Sequence, residues 1–232
     1  MIIKYQQLPF SFDVHQLKEE VMLLDSNNWI SHYQKLHYHG NWTALPLRSI
    51  DGSSDNIMVQ PTNNYNYADT IFLKQSPYLQ HTLNTFKCSI LGARLLKLES
   101  GAEIKEHRDA DLNFEKGEIR LHIPVITHED VEFYLDNEKI IMLEGQCWYM
   151  NLNLPHRIKN KSQVNRIHLV IDALVNEWVK EVFETDTPLP KKQLEASEQS
   201  SAETRNHMIR MLREMNTPTS NQLADKISAT LT

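Results

Sequence analysis

Cysteine is scarce in this chain: 232 residues hold two, Cys88 and Cys147. Neither has the neighbours of a zinc site, and a pair of thiols is no disulfide framework, so a cytoplasmic chain with both reduced is expected. Long apolar runs are missing as well. The opening MIIKYQQLPF lacks the apolar block of a signal peptide, and no stretch is long enough to span a bilayer. Positive charge is not in excess: a net charge of −6 and a pI near 6.0 argue against a nucleic-acid polyanion as main partner. No internal repeat or low-complexity segment is evident. What remains, 41% hydrophobic and 23% charged residues, suits one globular domain with a real core plus peripheral elements.

The N-terminal part reads as helical and irregular. In FDVHQLKEEVMLL, Asp13 stands as an N-cap with Gln16 three residues on, and Phe12 and Leu17 are placed as a hydrophobic staple. Val14, Leu17, Val21 and Leu24 then form one apolar stripe. SPYLQHTLNTF puts Ser76 at N-cap, Pro77 at N1, and Leu79, Leu83 and Phe86 on one face. Residues 26–75, rich in Asn, Ser, Tyr and Trp, are expected to hold loops and short strands.

From about residue 92 the period changes from 3.6 to 2. ARLLKLE, GEIRLHIPVIT, VEFYLDNEKIIML, QCWYMNL, PHRIKNK and NRIHLVID read as successive strands, with Asp136-Asn137 as a hairpin turn. Many short strands without helices between them imply an antiparallel sandwich or barrel. LVNEWVKEVF then reads as a helix. After Asp186 the chain turns polar and two amphipathic helices are expected. Ser200 and Glu203 would cap the first, with Met208, Met211, Leu212 and Met215 as its stripe, while Leu223 and Ile227 mark the second. The chain is thereby divided into 1–185 and a helical extension, 186–232, which packs outside the same domain or serves as a lid or homodimer contact.

The chemistry lies in EHRDADLNFEKGEIRLHIPV, residues 106–125. His107 and Asp109 are two apart, as are Arg120 and His122, and residues two apart in a strand share a face. Ile119, Leu121, Ile123 and Val125 take the opposite face. NRIHLVID repeats the arrangement, with Ile167, Leu169 and Ile171 opposed to Arg166, His168 and Asp172. A solvated outer face would explain one such strand, but a barrel interior can hold a polar site. His107, Asp109 and a distant His would make a two-His, one-carboxylate set suited to Fe(II). His156 in LNLPHRIKN is the best third member. If the runs around NKSQ form a hairpin centred near Lys161, His156 and Arg166 lie opposite one another. A guanidinium there could fork onto the far carboxylate of a dicarboxylate whose other end chelates the metal.

Together HRD, IRLHIPV, GQCWYMN, PHRIKN and RIHLVID resemble the aspartyl/asparaginyl β-hydroxylase family of Fe(II)- and 2-oxoglutarate-dependent oxygenases, whose bacterial relatives include hydroxylases of free amino acids such as proline. The resemblance covers roughly residues 90–175, and GNWTALPLRSIDG upstream is similar too. It implies a mainly β protein with flanking α-helices around a double-stranded β-helix, or jelly-roll, core. It further implies His107, Asp109 and His156 as iron ligands and Arg166 as partner of the 2-oxoglutarate C5 carboxylate. Arg120 and His122 match an R-x-H strand that helps hold the cosubstrate. One branch of the family lacks the carboxylate ligand; Asp109 places this chain with the full set and points to hydroxylation rather than halogenation.

The substrate is less legible. Arg48 in LPLRS is a candidate for a substrate carboxylate, with Trp42 as a pocket wall. His37 and His39 form an alternating pair placed at a rim rather than on a metal. Trp148 and Tyr149 belong to a strand core, Cys147 is a small buried hydrophobe, and Asp111 either supports the site or sits in a solvated turn. The expected activity is hydroxylation of a free or carrier-bound amino acid, with neither nucleic acid nor membrane as partner. A peptidyl Asp/Asn hydroxylase, a cupin-like metal protein without oxygenase activity and a binding module with a dead site are the alternatives.

Overall fold

A computed structural model of the chain describes residues 2–24, 28–60, 65–109, 112–185, 187–194, 202–215 and 217–229. The chain begins with β1 (Ile3–Ser11) and α1 (Val14–Leu23), then β2 (Ile30–Ser31), β3 (Tyr38–His39), β4 (Trp42–Ile50) and β5 (Tyr67–Asp69). Two helices, α2 (Ile71–Lys74) and α3 (Pro77–Asn84), precede eight strands. These are β6 (Ile90–Leu98), β7 (Glu103–His107), β8 (Glu118–Ile126), β9 (Val131–Leu135), β10 (Glu138–Lys139), β11 (Gln146–Met150), β12 (His156–Asn160) and β13 (Arg166–Leu174). The helix α4 (Glu177–Glu184) follows.

The eight strands are dealt between two antiparallel sheets. One sheet runs β1-β11-β8-β13-β6-β4-β2, with β5 also beside β4; the other runs β10-β9-β12-β7-β3. This winding is the jelly roll, mainly β with helices on its flank. The expected Asp136-Asn137 turn joins β9 to β10, and both residues have positive φ, 49° and 61°, as a type I′ turn requires.

Period 2 decides where each side chain of β8 goes. Ile119, Leu121, Ile123 and Val125 are at most 1% exposed and pack with Leu17 of α1, Leu79 of α3 and Phe183 of α4. The opposite face carries Arg120 and His122 into the space between the sheets, among Leu96, Ile104, Phe133 and Ile158. The polar face is therefore interior, not solvated. Tyr149 and Cys147 of β11 are fully buried and Trp148 nearly so.

Both N-terminal helices begin where expected, but their caps differ. Asp13 accepts from the N–H groups of His15 and Gln16 at the start of α1. At α3, Ser76 makes no cap bond; the Glu20 carboxylate of α1 accepts from Tyr78 and Leu79 N–H at 2.7 and 2.8 Å, tying the helices together. The N-terminal part is also less helical than its sequence suggests. β1 and β4 are nine residues each, and both add to the larger sheet.

The hairpin expected around Lys161 does not form. β12 pairs with β7 and β9 in one sheet, β13 with β6 and β8 in the other. Asn160, fully buried, turns the chain between them: its amide donates to Leu98 O and Val164 O, and its Oδ1 accepts from Ser162 Oγ.

Contacts divide the chain into two compact units, residues 3–192 and residues 1–2 with 193–232. The second holds α5 (Ala202–Glu214) and α6 (Pro218–Ala229), joined by an Arg213–Asp225 pair at 3.1 Å. Thr217 and Ser220 cap α6 reciprocally. Ser200 lies outside the described residues, as do Asp111 and the side chain of Glu203. Among the described residues no helix is long and apolar enough to cross a membrane.

Candidate metal and cosubstrate site

His107 and His156 are cross-strand partners of β7 and β12, with ring centroids 4.2 Å apart. Asp109, just past β7, is fixed by its N–H to Leu152 O at 2.9 Å. One ligand atom from each of the three lies within 4.8 Å of the others. Both imidazoles are oriented through Nδ1, His107 onto Lys105 O at 2.8 Å and His156 onto Leu154 O at 3.0 Å. Donation from Nδ1 leaves each Nε2 lone pair free for a cation, which is how metal-binding histidines are held. Burial, followed by His107, pushes His156 down to about 4, so the ring is neutral at ordinary pH.

A chain of alternating charge supports the carboxylate. Arg120 Nη1 donates to Asp109 Oδ2 at 2.6 Å, and its Nε and Nη2 donate to Asp172. Arg94 Nη1 lies 2.9 Å from the same Asp172, which has no exposed surface. Burial, the largest single influence, would raise the carboxyls of Asp109 and Asp172; Arg120 together with His156 and His107 at Asp109, and with Arg94 at Asp172, outweighs it, so both stay below the usual carboxylate range. The donors of Arg120 are thus given to two carboxylates, a different role from the cosubstrate contact expected of it.

Further in, Arg166 is buried and its Nη2 meets His168 Nδ1 at 2.9 Å. Among the described residues its Nε has no hydrogen-bond partner, and neither ring nitrogen of His122 has one. Burial lowers Arg166 to about 9 and, with Arg166 next, holds His122 well below its ordinary value. Unsatisfied donors at this depth are costly unless a ligand completes them. Arg166 and His156 reach one cavity from opposite sheets, so they converge without the hairpin.

That cavity measures about 280 Å³ and is lined by the three metal-site residues together with Arg94, Arg120, His122, Arg166 and Trp42. Trp42 lines it, and its buried Nε1 has no hydrogen-bond partner among the described residues. Arg48 is not in the lining. Its guanidinium pins β5, donating to Asp69 at 2.6 Å and to the carbonyls of Tyr67 and Ile90, past a register shift between Pro46 and Arg48 that re-aims β4. His37 and His39 are exposed; the His37 ring stands edge-on to His107 at 5.7 Å.

Arg94 and His32 are among the lining residues that carry no expectation from the sequence. Arg94 is the lone charge inside GARLLKL before its lysine, a signal that was there to read. His32 sits in a loop, where nothing marked it. Its ring is stacked on Trp42 at 3.5 Å and on Tyr33 at 4.5 Å, and its Nδ1 accepts from Gln34 N–H. Burial, then Arg94, lowers it to about 3. It is a neutral imidazole whose remaining nitrogen, Nε2, is a donor.

Residues 11–175 match the family described as Aspartyl/Asparaginyl beta-hydroxylase. An L-proline cis-4-hydroxylase of Rhizobium meliloti (strain 1021) is 29% identical over 163 residues, 69% of this chain; the chain spans 57% of that relative's length. Among solved structures, the apo form of the non-heme monooxygenase ThoJ is 10% identical over 75% of this chain and 74% of its own, with a TM-score of 0.46. A 2OG-Fe(II) oxygenase family oxidoreductase of Burkholderia pseudomallei is 11% identical over 60% and 72%, with a TM-score of 0.41.

Proposed function

This chain belongs to the aspartyl/asparaginyl β-hydroxylase family, and from that premise we propose that it is an Fe(II)- and 2-oxoglutarate-dependent hydroxylase of a small free amino acid. The observation that carries the reading is the pairing of two features in one cavity. Two Nε2 atoms and one carboxylate oxygen converge, and an unsatisfied guanidinium stands further in. The nitrogen and oxygen donors suit Fe(II), and His107, Asp109 and His156 would hold it. Arg166 and His122 would hold 2-oxoglutarate, since a buried carboxylate is what the Arg166 Nε donor lacks. When bound, iron and 2-oxoglutarate supply the oxidising chemistry: dioxygen is divided between 2-oxoglutarate, which becomes succinate and CO₂, and a substrate C–H bond, which becomes C–OH.

The remaining work belongs to the protein. Arg120 fixes Asp109 in one orientation, and the Lys105 and Leu154 carbonyls fix the two imidazoles. The lining also offers Trp42 Nε1 and His32 Nε2, donors that suit the carboxylate of a free amino acid, beside the Arg94 cation that Asp172 holds. An amino acid inside a peptide or esterified to a carrier has no free α-carboxylate, which favours the free acid. The relative's activity on L-proline makes cyclic amino acids the first to try. The test is incubation with Fe(II), 2-oxoglutarate and ascorbate over a pool of free amino acids. Succinate should form and one amino acid should gain one oxygen by mass spectrometry; no succinate with any member overturns the reading.

A further inference from the structure

The inward face of β8 starts one step before Arg120. Glu118, Arg120 and His122 alternate along it and all three line the metal-site cavity, while Ile119 and Leu121 belong to the other core. Glu118 is buried, and the backbone beside it is held on both sides. Gly117, at φ 90°, ends the short 3-10 turn of Phe114–Lys116, and its carbonyl accepts from Val175 N–H at 2.8 Å. Glu118 itself is the cross-strand partner of Leu174 in β13. Among the described residues the lining holds two carboxylates, Asp109 and Glu118. Asp109 is committed, with Oδ2 on Arg120 and the other oxygen in the metal-ligand set. Glu118 has no part in holding iron or 2-oxoglutarate.

We propose that Glu118 receives the charged amino group of the amino acid, and so makes the site select a zwitterion over a plain carboxylic acid. The inference rests on the hydroxylase reading, which gives the donors of Trp42 and His32 to the substrate carboxylate and leaves the ammonium to be matched. An ammonium taken out of water without an acceptor is costly. Here it would also stand among Arg94, Arg120, Arg166 and a divalent ion, so a neutral acceptor such as the Gln34 side chain would not offset the repulsion. Charge balance points the same way. With iron and 2-oxoglutarate bound, the ion and the three arginines outweigh Asp109, Asp172 and the dicarboxylate, and Glu118 cancels the excess. A site balanced in this way has no net attraction for an anion and suits a ligand that carries both signs. An ionised carboxylate has about four acceptor positions, so Glu118 can keep contacts within the protein and still take an ammonium.

The test is calorimetric titration of the Mn(II)- and 2-oxoglutarate-loaded protein with L-proline and the other free amino acids, each added singly. The amino acid that binds tightest is then compared with its analogue having carbon or hydrogen in place of the amino group, which for proline is cyclopentanecarboxylic acid. The parent should bind the amino acid at least 10-fold more tightly than the analogue. Glu118→Gln keeps the shape and removes the charge, so the amino acid should lose 10-fold or more while the analogue and 2-oxoglutarate lose nothing. Glu118→Asp should restore part of the preference. An equal loss for amino acid and analogue, or no loss in a variant that melts like the parent, overturns the proposal. If Glu118→Gln does not fold, Glu118→Asp decides, since its shorter carboxylate should weaken the amino acid alone. A parent that binds the analogue as tightly as the amino acid overturns the proposal whatever the variants do. Succinate formed by a protein indifferent to the amino group removes Glu118's role and leaves the hydroxylase reading standing. Glu118-dependent binding without succinate in the iron-loaded protein does the reverse.

Discussion

Arg120 holds one oxygen of Asp109 at 2.6 Å, and the other oxygen lies 3.8 Å from His107 Nε2. The carboxylate is thereby divided: Oδ2 is committed to the guanidinium and Oδ1 is left to a metal. Arg120 is itself clamped by Asp172, which Arg94 meets from the other side. Asp172 touches no ligand atom, so it is a positioning residue acting through Arg120.

Asp172→Asn should therefore weaken Mn(II) binding by about 10–100-fold, the usual effect of losing a partner that orients a metal ligand. Two arginines left facing a neutral amide should also cost on the order of 3–5 kcal/mol of stability. Titration with Mn(II), alongside denaturation, separates the two effects. Unchanged metal affinity in a variant that has lost stability would show that Asp172 serves the fold alone.

Four buried imidazoles, those of His32, His122, His156 and His168, are held below their ordinary range and make the metal-free protein acid-sensitive. His156 and His32 are lowered from 6.5 to about 4 and about 3, both chiefly by burial. The unfolded chain binds these protons first, so stability is complete above pH 6.5 and is lost as pH falls through the interval down to the folded values. Each ring should cost about 2 kcal/mol between about pH 7 and 5. Urea unfolding at the two values measures it, and His156→Gln should remove its share of the slope. Saturating Mn(II) should raise stability and steepen its loss at acid pH, because bound metal keeps protons off the native Nε2 while the unfolded chain still binds them.

What the sequence made legible follows from how far each signal reaches. The strand alternation of β8 and β13 is local, and so is the Asp136-Asn137 turn; both are found where the period and the turn chemistry put them. β1 was hidden because its inward positions are Lys4 and Gln6, 3% and 1% exposed. Their partners are Asp136 and the Phe183 carbonyl, more than a hundred residues away, and no local pattern announces them. The false hairpin has the same cause. Two extended runs around a short polar link read alike whether they pair or part, and the bond from Asn160 to Leu98 O decides it. Arg48 looked like an anion ligand because its tie to Asp69, across the β4–β5 pair, was not visible.

His32 offers a sharper test of the substrate's charged end. His32→Phe keeps the stack on Trp42 and Tyr33 but removes the Nε2 donor. Loss of a hydrogen bond to a carboxylate costs about 1.5–3 kcal/mol, so KM for the amino acid should rise roughly 10–100-fold. The KM for 2-oxoglutarate should stay where it is. The amide of the same amino acid should already be a poor substrate for the parent protein, and should lose little further in the variant. A variant with an unchanged KM would remove His32 from the recognition of the carboxylate.

Arg166 and His168 make the opposite split. His168 Nδ1 takes one Nη2 hydrogen of Arg166 at 2.9 Å and leaves Nε without a partner. Arg166→Ala should weaken 2-oxoglutarate binding to the Mn(II) protein by about 2–5 kcal/mol, the scale of a truncated buried charge contact. Metal affinity should hardly change, since Arg166 touches none of the three ligands. Burial already lowers Arg166 to about 9 with no bound anion. Removing its charge therefore relieves a desolvated cation while losing the cosubstrate, and the variant should be no less stable than the parent. Calorimetric titration with 2-oxoglutarate, run beside a melt, reads both. Tight binding in the variant would move the carboxylate anchor away from Arg166, and a large loss of stability would make its role one of packing.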